Sequence, residues 1–184
     1  TAGPRIYALE VVNGATASNA APFTVSQSVD VTSAGCTAPA PQGVAVDYSS
    51  RNLAIVTNSG CNNVSIIQLG GPNAGTGQTV AVGTSPQGVA VHIQSALAVV
   101  ANSGSNNASI VDINGNTVVA TVNTDPTPVG VAIDPGLGLA VVTASNANVV
   151  DTFAISATPG TPTALAVQGR PVAVAVDPER HFAA

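Results

Sequence analysis

Apolar residues in this chain come in short runs, each cut off by Gly, Pro, Asn or Asp. The clearest run occurs four times: Gly43-Val44-Ala45-Val46-Asp47, Gly88-Val89-Ala90-Val91-His92, Gly130-Val131-Ala132-Ile133-Asp134 and Ala173-Val174-Ala175-Val176-Asp177. The copies start 45, 42 and 43 residues apart. A second run follows at a fixed offset, as Leu53-Ala54-Ile55-Val56-Thr57-Asn58, Leu97-Ala98-Val99-Val100-Ala101-Asn102 and Leu139-Ala140-Val141-Val142-Thr143-Ala144. A third comes after a polar loop, as Val64-Ser65-Ile66-Ile67, Ala108-Ser109-Ile110-Val111 and Val149-Val150-Asp151-Thr152. A fourth is looser, for instance Thr117-Val118-Val119-Ala120-Thr121-Val122.

Short runs of β-branched and small apolar residues between turn formers predict strands, four to each unit. Asn114-Gly115, between two runs, is the pair a two-residue type I′ hairpin requires, so consecutive strands should pair antiparallel as a meander. A period of 42 to 45 residues with four antiparallel strands predicts an all-β fold, a β-propeller of four-stranded blades. The first two strands of each unit are almost wholly apolar, as a sheet covered on both faces must be. The alanines Ala45, Ala90, Ala132 and Ala175 leave room for the neighbouring blade.

The phrases Val56-Thr57-Asn58-Ser59-Gly60 and Asn102-Ser103-Gly104-Ser105-Asn106-Asn107, with Ser109-Ile110-Val111-Asp112 and Asn116-Thr117-Val118-Val119-Ala120-Thr121-Val122 behind the latter, resemble the YVTN family of propeller repeats. The resemblance covers residues 41–184. It implies seven or eight blades in a complete member, an extracytoplasmic or surface-layer setting, and distant kinship with lactonase-like and lyase-like propellers. Such repeats encode packing, so the resemblance informs fold far more than activity.

The expected blades are 41–83, 84–126 and 127–169, within a single propeller region spanning 1–184. Residues 1–40 are expected to hold strands three and four of a half blade. Ile6-Tyr7-Ala8-Leu9-Glu10-Val11-Val12 and Asn13-Gly14 mirror a third strand and its turn, residues 23–31 a fourth, and residues 15–22 an insertion. Residues 170–184 are expected to hold strands one and two of another half blade. About four blades' worth of sequence is therefore present. Three outcomes follow from that count: closure as four blades, pairing with a second copy to make eight, or membership of a longer polypeptide, the expectation favoured on the unpaired edge a half blade leaves.

Composition narrows the partners. With 45% hydrophobic and 7% charged residues, the chain does not fit disorder. It has four arginines, no lysine and a net charge of -5, which cannot supply the basic stripe nucleic acid needs. Every apolar run is far shorter than a membrane-spanning helix, so no membrane insertion is expected.

In a four-stranded meander, the loop between strands two and three lies at the same end as the loop entering strand one. Cys36 precedes a first strand and Cys61 lies in the second-to-third loop of that unit, so the two can meet. In a lysine-free, amide-rich chain this favours a disulfide and an oxidising, extracytoplasmic compartment, with two free thiols as the alternative. No metal is expected there, because neither a CxxC spacing nor a nearby His accompanies the pair.

His92 stands where the other units have Asp, and is read as a strand-end turn residue; His181 carries no catalytic signature either. Asp47, Asp134 and Asp177 recur once per unit at that strand end and are read as caps of the following turn. A catalytic group should break the repeat, whereas these constitute it. No nucleophile elbow, phosphate loop, zinc-protease motif or EF-hand loop occurs, so neither catalysis nor a cofactor is expected.

One further set remains, at the end of the two-to-three loops: Asn58, Ser59, Asn62 and Asn63, then Asn102, Ser103, Asn106 and Asn107, then Ser145, Asn146 and Asn148. Uncharged amides and hydroxyls suit a protein or glycan partner, and equally suit hydrogen bonds to their own turns. The leading functional expectation is a non-catalytic extracytoplasmic scaffold or binding module. The alternatives are a fragment of a lactonase-like or lyase-like enzyme, and a structural protein that self-assembles, as a homodimer or larger, by strand complementation.

Overall fold

The computed structural model describes the backbone of Tyr7–Ala8 and Thr24–Val25 together with Cys36 and residues 38–184. The chain forms two compact units, Thr1–Asp30 and Val31–Ala184. In the first, β1 (Tyr7–Ala8) pairs antiparallel with β2 (Thr24–Val25), at positions expected to hold third and fourth strands. The rest of the strands expected over 6–12 and 23–31, and the insertion at 15–22, lie outside the described residues.

The second unit contains three four-stranded antiparallel meanders. Sheet one is β3 (Pro41–Asp47), β4 (Leu53–Asn58), β5 (Asn63–Gln68) and β6 (Gly77–Ala81). Sheet two is β7 (Pro86–His92), β8 (Leu97–Asn102), β9 (Asn107–Asp112) and β10 (Thr117–Asn123). Sheet three is β11 (Pro128–Asp134), β12 (Leu139–Ala144), β13 (Val149–Ala154) and β14 (Thr163–Ala166). In each, spatial order follows chain order. A last two-stranded sheet is β15 (Val176–Asp177) with β16 (Phe182–Ala183). No helix occurs among the described residues.

The alternation within β3 and its copies sorts side chains to two faces, and the core forms where those faces meet. Ala45, Leu53, Ile55, Val64 and Ile66 of sheet one pack against Val89, Val91, Ala98, Val100 and Val111 of sheet two. The other face of sheet two, with Leu97, Val99, Ala101, Ala108 and Ile110, packs against Val131, Ile133, Ala140, Val142 and Phe153 of sheet three. One rule therefore builds each junction: the trailing face of a sheet covers the leading face of the next.

The first strands come closest at the glycine that opens each repeat. A β-carbon added at Gly43 would lie 2.5 Å from the Gln87 carbonyl oxygen, and one at Gly88 would strike the Val129 carbonyl. Each first strand carries a bulge at this point, between Pro41 and Val44, Pro86 and Val89, and Pro128 and Val131. Between sheets one and two, the Thr57 hydroxyl accepts from the Gly43 N–H at 2.8 Å and donates to the Gln87 carbonyl at 2.6 Å.

The turns follow a scheme different from the one Asn114-Gly115 predicts. Asp112 pairs with Thr117, so four residues make the turn, and the left-handed residue is Asn116 at φ 52°. A type I′ turn would need positive φ at both central positions. The same four-residue loop, left-handed at its last residue, recurs at Asn106, Asn148, Ala96, Gly138 and His181. Asn52 holds that place after a five-residue turn, and Asn62 after residues 59–61.

Candidate functional site

The interatomic contacts bring the residues expected at the loop end together. In sheet one the N–H groups of Ser59 and Gly60 donate to the carbonyls of Ala40 and Pro39, at 3.1 and 2.9 Å, joining the two-to-three loop to the segment entering the first strand. Ser103 and Gly104 repeat this with Ser85 and Thr84, and Ser145 with Thr127. Cys36 and Cys61 form a disulfide across this end of sheet one, with Cα atoms 5.8 Å apart.

The eleven polar candidates fall into two groups. Asn58, Asn63, Asn102 and Ser145 are buried. The Asn58 amide donates to Asn63 Oδ1 at 2.7 Å and Ser65 Oγ at 2.9 Å, and Asn102 does the same to Asn107 and Ser109, both at 2.9 Å. These are internal ties of the sheet, and they also take up the Asn63-Val64-Ser65 and Asn107-Ala108-Ser109 sequons. The hydroxyls of Ser59 and Ser103 donate to the carbonyls of Ala40 and Ser85.

Asn62, Asn106, Asn146 and Asn148 are exposed. Asn62 Oδ1 accepts from the Ser85 N–H at 2.9 Å, and Asn106 Oδ1 from the Thr127 N–H at 3.0 Å, so each reaches across to the next sheet. Asn146 donates to Thr127 Oγ1 at 2.8 Å and accepts from Arg170 at 3.0 Å. The left-handed turn position, which Asn tolerates better than most residues, explains why Asn62, Asn106 and Asn148 recur.

The third sheet breaks this pattern. Ala144 and Val149 replace the paired asparagines, and Asp151 replaces the serine. Asp151 is buried and accepts from the Asp125 N–H at 2.8 Å. Burial pushes its carboxyl above the ordinary value, the Asp125 N–H opposes this, and the charge of Asp125 adds to the rise. The sequence carries this signal as a departure from the repeat, which the search for motifs passed over.

At the opposite end, the repeated aspartates cap their turns. Asp47 Oδ1 accepts from the Ser49 N–H and Asp134 Oδ1 from Gly136 and Leu137, while Asp177 Oδ1 accepts from Glu179 and Arg180. Burial alone would raise Asp47, but Ser49 and the Arg51 guanidinium 2.5 Å away hold it below its ordinary value. Asp134 is likewise lowered: burial opposes, but the His181 ring 2.7 Å away and the turn N–H groups prevail. His92 serves the same turn through Ser95 at 2.6 Å and meets the Pro135 carbonyl of the next sheet at 3.3 Å.

A shallow trough of about 320 Å³ runs along the first strands, lined by Gln42, Gln87, Val129 and Val172 beside the close-packed glycines. Among the described residues no group of three or more His, Cys, Asp or Glu gathers as metal ligands would.

Solved structures share this arrangement. A chain of hydrazine synthase from Kuenenia stuttgartiensis superposes with a TM-score of 0.70 at 20% identity, over 83% of this chain and 43% of that one. A chain of the nidogen/laminin complex superposes with a TM-score of 0.63 at 19% identity, over 78% of this chain and 55% of that one. The fold is a β-propeller. The three meanders are its blades, β15–β16 part of a fourth, and the chain spans about half the length, or less, of the propeller-containing chains it matches. No family model matches the sequence, and no curated protein does.

Proposed function

We propose that this chain is a non-catalytic scaffold of YVTN-like propeller repeats, working outside the cytoplasm and binding a protein or glycan at its Asn-rich loop end. The observation that carries this reading is the row formed by Asn62 and Asn106 on successive blades. Each amide oxygen is committed to a backbone N–H of the next blade, which fixes the carboxamide and leaves its NH2 group, exposed, to donate outward. Donors held in place before binding lose little entropy when a partner arrives, and neutral amides match the hydroxyls and carbonyls of sugars and peptide backbones. Asn146 and Asn148 extend the row onto the third blade.

Two observations support the compartment: the Cys36–Cys61 disulfide, a bond of oxidising environments, and the likeness to a chain of the nidogen/laminin complex. The turn-capping roles of Asp47, Asp134, Asp177 and His92 support the scaffold reading, since each spends its polar atoms on backbone.

Arrays of glycans and of extracellular protein domains, probed with the folded chain, test this reading. Binding that falls at least tenfold in Asn62→Ala/Asn106→Ala/Asn148→Gly, with melting still cooperative, is the expected result. Binding untouched by those changes, or turnover in a lactone and polysaccharide screen, would contradict it.

A further inference from the structure

We propose that the leading face of the first blade is a docking surface for a second copy of this chain, which lays the trailing face of its last sheet upon it. The argument goes beyond the proposed binding role and rests on residues at equivalent repeat positions. Val44 and Val89 are the same position in successive blades, yet Val89 is 9% exposed and Val44 65%. Val46 is 46% exposed, whereas its counterpart Val91 packs into the junction between blades one and two. What covers Val89 and Val91 inside the chain is the trailing face of blade one, through Ala45, Leu53 and Ile55.

That same trailing face stands open at the other end. Phe182 opens β16 as Leu53 opens β4, and each pairs with the repeat aspartate, Asp177 or Asp47. Leu53 is packed against the junction core, while Phe182 is 69% exposed. One molecule therefore exposes both halves of a contact that it already makes twice internally: Val44 and Val46 on one side, Phe182 and Ala175 on the other. None of the four is charged, so continuing the in-chain junction between copies requires no charge to be buried. Because the two patches differ, the contact is head-to-tail and closes into a ring if the rotation allows.

The sequence also makes this seam weaker than the internal ones. Within the chain, the glycine at the start of a repeat lets the next first strand approach, as at Gly43 with Gln87. In the last repeat that glycine is Ala173. Its β-carbon would meet the Gln42 carbonyl of the incoming copy, so the first strands stand farther apart at this junction. A seam of this kind separates and re-forms while the blades stay folded.

Sedimentation equilibrium of the full chain, with unreduced disulfide, tests the proposal. The expected wild-type result is a concentration-dependent mass of twice 17.9 kDa, or higher multiples if the rotation does not close. Val44→Glu alone and Phe182→Glu alone should each give the monomer mass with unchanged far-ultraviolet circular dichroism. Mixing the two should restore a dimer, because one intact leading face then meets one intact trailing face. Ala173→Gly should tighten association by about tenfold. A wild-type monomer up to about 100 µM, a range that detects any contact tighter than that Kd, overturns the proposal. So does a dimer indifferent to both charges, or a mixture that stays monomeric. If Val44→Glu fails to fold, Phe182→Glu and Ala173→Gly decide the question by themselves.

Discussion

Asparagine at the end of each two-to-three loop serves two purposes, a backbone one and a side-chain one, and substitution separates them. Asn106 sits at φ 53° and accepts from the Thr127 N–H. Glycine keeps the backbone and loses the hydrogen bond, whereas alanine loses both. Asn106→Gly should therefore cost about 0.5–1.5 kcal/mol, and Asn106→Ala about 1 kcal/mol more, in denaturant titrations. Equal costs would mean that the left-handed turn is not what selects asparagine here.

The acidic residues divide by the direction in which the fold moves them. Asp47, Asp134 and Asp177 are held below their ordinary value, so their contribution to stability is present at neutral pH and lost as pH falls through the lowered folded values. Asp151 is raised, so its contribution runs the other way: full in acid, and lost as pH climbs from the ordinary value through the raised one. Asp151→Asn removes this second dependence. Between about pH 4 and 7 the stability of the variant should rise relative to wild type, followed by chemical denaturation at each pH. A constant difference across that range would show that Asp151 titrates normally.

At the scale of strands and turns, much was readable because the repeat writes each element three or four times. Gly43, Gly88 and Gly130 mark the first strands, and the apolar runs Leu53-Ala54-Ile55-Val56 and Leu97-Ala98-Val99-Val100 mark strands covered on both sides. Cys36 and Cys61 were placed together by strand parity alone, and the bond is there. The turn after β9 was misjudged because Asn-Gly is compatible with several loops, and only the pairing of Asp112 with Thr117 reveals a four-residue one. The loop-end asparagines were legible as a group but not divisible into buried and exposed members. Which amide turns inward depends on partners such as Ser65 and Ser85, brought close by folding rather than by sequence.

Two of these elements lend themselves to direct perturbation. The disulfide joins residues 25 apart, and Cys36→Ser/Cys61→Ser should cost about 2–4 kcal/mol in guanidinium unfolding. A negligible cost would mean that the entry segment is held by Ser59 and Gly60 alone. Gly88→Ala places a methyl against the Val129 carbonyl and should cost about 1–3 kcal/mol, because backbone on both sides must move. Alanine tolerated there without loss would show that the first strands are not in contact.

For the unit spanning Val31–Ala184, stacking is the organising principle: each blade offers a trailing face to the leading face of the next, and the loop ends are laced together on one side. The lacing is the central claim, because a fixed surface is what turns a row of amides into a binding site. Amide hydrogen exchange tests it most directly. Although they lie in loops, the N–H groups of Ser59, Gly60, Ser85, Ser103, Gly104, Thr127 and Ser145 should exchange slowly, and Asn62→Ala should release Ser85 while leaving Ser103 protected. Exchange of all seven at the rate of unstructured peptide would contradict the account, since the loop end would then offer no fixed surface to bind with.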